Sequence, residues 1–170
     1  MALDASVGGA SANSYATVDE AATYHAARLY ADTWTGAQAD DQAKALQMAT
    51  KLLDAQVDWL GIAASTTQAL GWPRFGVMAR NGWFHILPTI IPTELKDATA
   101  EFARQLLDGD RTADSETETE GIKSLKVSTI AIDFDRPQAK VIPDAVFYLI
   151  RHLGRVSQRS GSGSLPLVRA

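Results

Sequence analysis

The chain has 170 residues, 46% of them apolar, and a net charge of −4. That is enough apolar material for one buried core and too much for a disordered polyanion. The absence of cysteine excludes disulfides, thiolate metal sites, iron–sulfur clusters and cysteine nucleophiles. No apolar run reaches the roughly 18 residues that a bilayer span needs. Met1-Ala2-Leu3-Asp4 lacks the basic flank and long apolar stretch of a secretory leader, so we expect a soluble protein made in the cytoplasm, with no membrane partner.

Residues 1–16 are small and polar and read as an extended N-terminal arm. Thr17-Val18-Asp19-Glu20 is a capping box, which predicts a helix from Thr17 to about Tyr30. Apolar residues Ala43, Leu46, Ala49, Leu53, Val57 and Leu60 recur at three- and four-residue spacing and predict a second helix over 39–60, with Gly61 ending it. Residues 62–91 hold Gly71, Pro73, Gly76, Gly82 and Pro88, with Trp72 and Trp83 inside and Trp59 just before. They predict a long loop folded on its own aromatics. Ile91-Pro92-Thr93-Glu94 opens a third helix, striped by Leu95, Ala98, Phe102, Ala103 and Leu106 and stopped by Gly109. The acidic stretch 110–120 has the composition of a solvated loop.

Ile122, Leu125, Val127, Ile130, Ile132 and Phe134 approach alternation, predicting one or two strands within 121–136, with a break at Ser128-Thr129. A last helix follows Pro143 and closes at Gly154. The tail, 155–170, combines a Ser160–Ser164 glycine/serine spacer with an apolar, basic tip, Leu165-Pro166-Leu167-Val168-Arg169. The fold class is therefore mainly α: a small helical bundle (17–154) with a short β-strand or hairpin element, a long aromatic loop and extended terminal arms. Charge divides unevenly. The last 26 residues carry Arg151, Arg155, Arg159 and Arg169 and no acid, a charge of +4. Residues 1–144 carry twelve basic and twenty acidic side chains, or −8. A basic tail on an acidic body suits docking on an acidic partner or contact with nucleic acid, and equally four arginines that simply solvate a helix end and a frayed terminus.

No catalytic set assembles, and we expect no enzyme, no metal and no cofactor. Phosphate-cradling glycine loops and a Gly-x-Ser-x-Gly elbow are absent. Asp40-Asp41 fall in a first helical turn, where negative charge opposes the macrodipole favourably. Asp133 and Asp135 share a face of a predicted strand, read as its solvent face. His25 is expected at the surface or an interface, and His85 packed in the aromatic loop. His152 sits near a helix C-terminus that would favour its protonated form. Trp72-Pro73-Arg74 allows two readings. In one, the tryptophan stacks on a base and Arg74 pairs with a phosphate. In the preferred one, Trp72 packs over the second and third helices and Arg74 forms a structural ion pair.

Several segments in order carry a family resemblance: Ala12-Asn13-Ser14-Tyr15, Glu20-Ala21, Tyr24-His25-Ala26-Ala27-Arg28, Ala69-Leu70-Gly71-Trp72-Pro73-Arg74 with Gly76-Val77, Ile91-Pro92 with Leu95-Lys96, Gly121–Val127, and Leu167-Val168-Arg169-Ala170. Together they resemble a phage and prophage family often labelled DnaT-like single-stranded-DNA-binding protein, whose members are similar to head-to-tail connector (adaptor) proteins. That resemblance implies a virion structural protein of the neck, made in the host cytoplasm. It would form a homo-oligomeric ring, commonly of twelve copies, beneath the portal protein. The ring would extend the channel through which DNA passes without sequence-specific binding, and present a platform to the next neck or tail-completion protein. The expected portal contacts are Arg151, Arg155, Arg159, Leu165, Leu167, Val168 and Arg169. Trp72, Arg74, Phe75 and Trp83 are either interface or core. The alternative is a single-stranded-DNA-binding replication accessory, with salt-sensitive binding that depends on Arg74 or the C-terminal arginines.

Overall fold

A computed structural model describes residues 2–112, 124–127, 130–133 and 141–156. Helix α1 (Val18–Ala26) begins at the expected capping box: Thr17 Oγ1 accepts from Glu20 N–H at 3.1 Å, and Glu20 Oε2 accepts from Thr17 N–H at 2.9 Å. It ends four residues short of Tyr30, and a short helix that sequence periodicity did not reveal, α2 (Asp32–Gly36), follows. Helix α3 (Ala39–Gln56) starts as expected, with Asp40 and Asp41 in its first turn, but stops before Leu60. Val57–Trp59 instead form strand β1. Helix α4 (Thr93–Asp108) runs from Pro92 to Gly109 as predicted, and α5 (Asp144–Ile150) follows Pro143.

The β content exceeds one hairpin. β1 (Val57–Trp59) pairs antiparallel with β6 (Gly154–Val156), in register Val57↔Val156, a partner about a hundred residues away. The last helix therefore ends at Ile150, and Gly154 belongs to a strand. β2 (Ile62–Ala63) pairs with β3 (Arg74–Phe75) inside the long loop. β4 (Ser124–Val127) and β5 (Ile130–Asp133) pair antiparallel within the predicted 121–136 segment. The acidic loop beyond Thr112 and the tail beyond Val156 lie outside the described residues.

Helix α4 is the axis of the bundle. Leu95, Ala98, Thr99, Ala100, Glu101, Phe102 and Ala103 are all buried, as they must be when neighbours cover several faces of one helix. Contacts rise in step along α1 and α4 (Glu20 with Lys96, His25 with Ala100, Arg28 with Glu101), so these two run parallel. At the C-terminal end of α4, Thr33 of α2 donates to Asp108 (2.7 Å), and Gln42 of α3 donates to the Trp34 carbonyl (2.8 Å). α3 and α5 run the opposite way, and the long loop gathers at the N-terminal end of α4, where His152 lies beside Glu94 and Arg80. The segment 2–16 is non-helical as expected but is no free arm. Tyr15 is buried, its N–H donates to Thr50 Oγ1 (3.2 Å), and Ala69 N–H donates to the Gly9 carbonyl (3.1 Å).

Candidate functional site

The long loop is rigid at its base and apolar at its tip. Asp54, near the end of α3, accepts hydrogen bonds from Trp59 Nε1–H (2.8 Å), Gly71 N–H (3.0 Å) and the Tyr15 hydroxyl. Burial and the Asp54 carboxylate together push the Tyr15 hydroxyl well above its ordinary pKa, so it stays a donor. Gly71 is required by space: a Cβ there would lie 2.7 Å from the Trp59 ring and 2.8 Å from Asp54 Oδ1. Gly61 is required by conformation and by space, with φ +73° and a would-be Cβ 2.1 Å from the Phe75 carbonyl.

Arg74 completes this brace. Its guanidinium donates to the carbonyls of Leu60 (2.7 Å), Gly71 (3.0 Å) and Gly61 (2.7 Å). The expected ion pair is replaced by carbonyl partners, because no carboxylate occurs between Asp58 and Glu94. Its Nε and both terminal nitrogens are thus committed to the loop's own backbone. Trp72 is 1% exposed and T-shaped against Trp59, so it is core. Its peptide bond to Pro73 is cis.

Beyond β3 the chain turns outward. Met78 bridges His85, Ile86 N–H donates to the Val77 carbonyl (2.8 Å), and Ala79 N–H donates to the Phe84 carbonyl (2.7 Å). Gly82 closes the turn at φ +71°, so residues 77–86 form a narrow hairpin. Asn81-Gly82 is a turn signal in the sequence, although an expected long loop over 62–91 does not distinguish a hairpin within it. Trp83 is 83% exposed and Phe84 71% exposed, with His85 and Leu87 exposed beside them. Phe75 and Ile62, cross-strand partners, add a second exposed apolar pair. Arg80 stands on the hairpin turn and has no ion pair among the described residues. The whole segment 59–93 carries two arginines and no acid. Large aromatics exposed beside an unpaired cation make this the candidate surface, since folded proteins usually cover such rings.

Of the residues expected to touch a partner, Trp83 and Phe75 are exposed here, whereas Trp72 and Arg74 build the loop. Arg151 and Arg155 are described: Arg151 lies over the Tyr148 ring (6.0 Å), and Arg155 opposes Asp58 across the β1–β6 ladder. Arg159, Leu165, Leu167, Val168 and Arg169 lie outside the described residues, as does Asp135. Sequence reading had not singled out Arg80 or Phe84.

The other titratable groups are structural. His25 is buried, not on the surface: it stacks beside Trp34 (4.9 Å between centroids), and its Nε2 meets the Ala100 carbonyl at 3.1 Å. Burial lowers its pKa, which keeps the ring neutral. His152 is also pushed down, first by burial and then by Arg80 and Arg151, so the protonated state expected at a helix end is disfavoured. Glu101, 1% exposed, accepts at Oε1 from Arg28 (3.2 Å), Arg104 (2.9 Å) and Gln105 (3.0 Å). Burial opposes its charge, but bonds from Arg104 and Gln105 hold its pKa below the usual range. This carboxylate ties α1 to α4 and offers no open site. Among the described residues no group of three or more His, Asp or Glu could hold a metal ion, and no helix is long and apolar enough to cross a membrane.

Residues 1–170, the entire chain, match the protein family described as "Putative DnaT-like ssDNA binding protein". The chain belongs to this family. The description names a binding protein and no enzymatic activity. No curated protein and no solved structure matches the chain.

Proposed function

We propose that this member of the DnaT-like family is a non-enzymatic binding protein that engages single-stranded DNA at the 77–87 hairpin. The observation that carries this reading is the exposure of Trp83 and Phe84 beside Arg80, in a segment free of carboxylates. Exposed aromatic rings stack on bases of any sequence, at about 1–3 kcal/mol per base. One cation at the tip neutralises few phosphates, so the salt dependence should be shallow, with a log–log slope of roughly −0.7 per phosphate contacted. Titration of the protein with oligothymidylate tests this. Of the four tryptophans, Trp34 and Trp72 are buried and Trp59 is half-buried against Trp72 and Asp54, so quenching of tryptophan emission reports chiefly on Trp83. Trp83→Ala, followed by the anisotropy of dye-labelled oligothymidylate because the variant lacks the reporting ring, should weaken binding about ten- to a hundredfold, given the stacking energy above. Equal affinity of the wild type and W83A, or no quenching at low salt, would remove the hairpin from any role in DNA binding.

A second reading has support from a different part of the surface. Ile62, Leu87 and Ile90 are exposed and aliphatic; they have no π-face for a base and gain most against another protein. A protein partner at this surface is what a virion adaptor subunit, assembled as a ring under a portal with DNA passing through the lumen, would need. Cryo-electron microscopy of purified particles decides it: the adaptor reading requires a closed ring of this chain at the head–tail junction, and absence from the particle ends it.

A further inference from the structure

The chain has two asparagines, and their side chains are held very differently. Asn13, half-buried, has both ends of its amide fixed: Oδ1 accepts from the Asp4 N–H (2.8 Å), and Nδ2 donates to the Ala2 carbonyl (2.9 Å). The residue after it, Ser14, is buried, and its N–H donates to the Asp4 carbonyl (3.1 Å). Asn81 is exposed at the tip of the hairpin and is followed by glycine. Its Oδ1 accepts from the Trp83 N–H (3.1 Å), while its Nδ2 has no partner among the described residues.

This arrangement favours attack on the Asn81 amide by the next backbone nitrogen. Gly82 has no side chain to obstruct the approach, and nothing lies within 4 Å of a would-be Cβ there. The Trp83 N–H points at the oxygen on which negative charge develops as Cγ becomes tetrahedral, which is the role of an oxyanion-hole donor. The unpartnered Nδ2 is placed to leave into solvent. The Gly82 N–H is bonded to the Ala79 carbonyl (2.8 Å), so the turn must open first, and hydrogen bonds at an exposed loop tip open readily.

We propose that Asn81 is a site of spontaneous deamidation, which places a negative charge on the hairpin. The Gly82 nitrogen gives its proton to solvent base and bonds to Asn81 Cγ. The Cγ–Nδ2 bond then breaks, Nδ2 takes a proton and leaves as ammonia, and a cyclic succinimide remains. Water reopens the ring by adding at one of its two carbonyl carbons and breaking that carbon's bond to nitrogen. Addition at Cγ leaves an aspartate at position 81. Addition at the main-chain carbonyl carbon leaves an isoaspartate, whose backbone runs through the former side chain and disrupts the turn. Either product sets a carboxylate between Arg80 and Trp83. The effect on oligonucleotides rests on the DNA reading above: a carboxylate beside Arg80 repels phosphate and weakens binding.

Incubation of the protein at mildly alkaline pH, followed by peptide mapping with mass spectrometry, tests the modification. The peptide holding Asn81 should gain about one mass unit, from ammonia lost and water added, and the peptide holding Asn13 should not. Asn81→Gln, whose reaction would need a larger ring, should keep its mass; its side chain is exposed, and an unchanged far-UV circular dichroism spectrum confirms the fold. No gain at Asn81 in the time that converts a free peptide of residues 77–87 overturns the proposal, since the hairpin would then protect the amide. So does an equal gain at Asn13, which would mean that the fold selects neither site. Anisotropy of labelled oligothymidylate tests the consequence. The deamidated fraction, separated by anion exchange, and Asn81→Asp should each bind about two- to fivefold more weakly than fresh protein, the range of one exposed charge pair. Affinity unchanged by Asn81→Asp, in a protein whose binding Trp83→Ala does weaken, overturns that consequence. Fresh protein that binds no oligonucleotide removes the DNA reading and the effect on binding with it, while the mass gain at Asn81 stands or falls separately.

Discussion

Replacing Asp54 by alanine removes the acceptor that joins three separate pieces of chain. Tyr15 brings the N-terminal segment, Trp59 the strand β1, and Gly71 the return of the long loop. Hydrogen bonds to a charged group contribute about 1.5–3 kcal/mol each, but Asp54 is partly exposed, and freed donors can recruit water. The three together then give a loss of about 3 kcal/mol, a large part of the 5–15 kcal/mol by which domains are stable. For a chain of this size that lowers Tm by roughly 6–12 °C. Urea unfolding followed by circular dichroism measures the loss. A Tyr15→Phe cycle then isolates one bond: the double variant should lose less than the sum of the singles, because the two share an interaction. An Asp54→Ala protein within about 0.5 kcal/mol of wild type, the range of an ordinary surface change, would refute the idea that this carboxylate organises the loop.

Three further outcomes follow from the same geometry. Glu101→Ala should cost about 3 kcal/mol, because it strands Arg104 beside a buried helix face; a value under 1 kcal/mol in chemical denaturation would contradict it. Arg74→Ala should lower stability by about 2 kcal/mol through lost carbonyl bonds, while Arg80→Ala leaves Tm unchanged and weakens only oligonucleotide binding; calorimetry and fluorescence titration separate the two. His25 and His152 both have folded-state pKa values below the ordinary value of about 6.5. Above that pH neither state holds the extra proton and stability is full. As pH falls below it, the unfolded chain takes up protons that the folded chain refuses, and stability drops. Unfolding free energies that stay flat from about pH 7 to 5, where histidines titrate, would count against this.

Helices with local signals were legible in the sequence. Thr17–Glu20 caps itself, Pro92 and Gly109 bracket α4, and Pro143 precedes α5. What escaped depended on partners distant in the chain. Val57–Trp59 continue the apolar period of α3, and only pairing with Gly154–Val156 turns them into a strand, so both the end of α3 and the end of α5 were misplaced together. His25 looked like a surface residue because its helix is polar around it, and its burial comes from Trp34 and α4. The candidate site was half visible. Trp83 and Phe75 were picked out, and the preferred reading of Trp72 as a packed residue holds, but nothing in Trp72-Pro73-Arg74 shows that the partners of Arg74 are carbonyls of the same loop in place of a carboxylate. Family membership, by contrast, was carried by segment order along nearly the whole chain.

The β1–β6 ladder also sets a schedule for the protein's birth. Val57 emerges from the ribosome about a hundred residues before Val156, its ladder partner. At typical synthesis speeds of about 5–20 residues per second, the gap is roughly 5–20 s. Throughout that interval α3 can form, yet Val57–Trp59 is an open strand edge, a template for pairing with a neighbouring nascent chain. The two-residue ribbon β2–β3 and the Asp54 brace can assemble during the wait, because all their parts lie before residue 76. The nascent chain therefore has its loop in order before its sheet is closed, and ribosomes translating the same message in close file are where mispairing of these chains would begin.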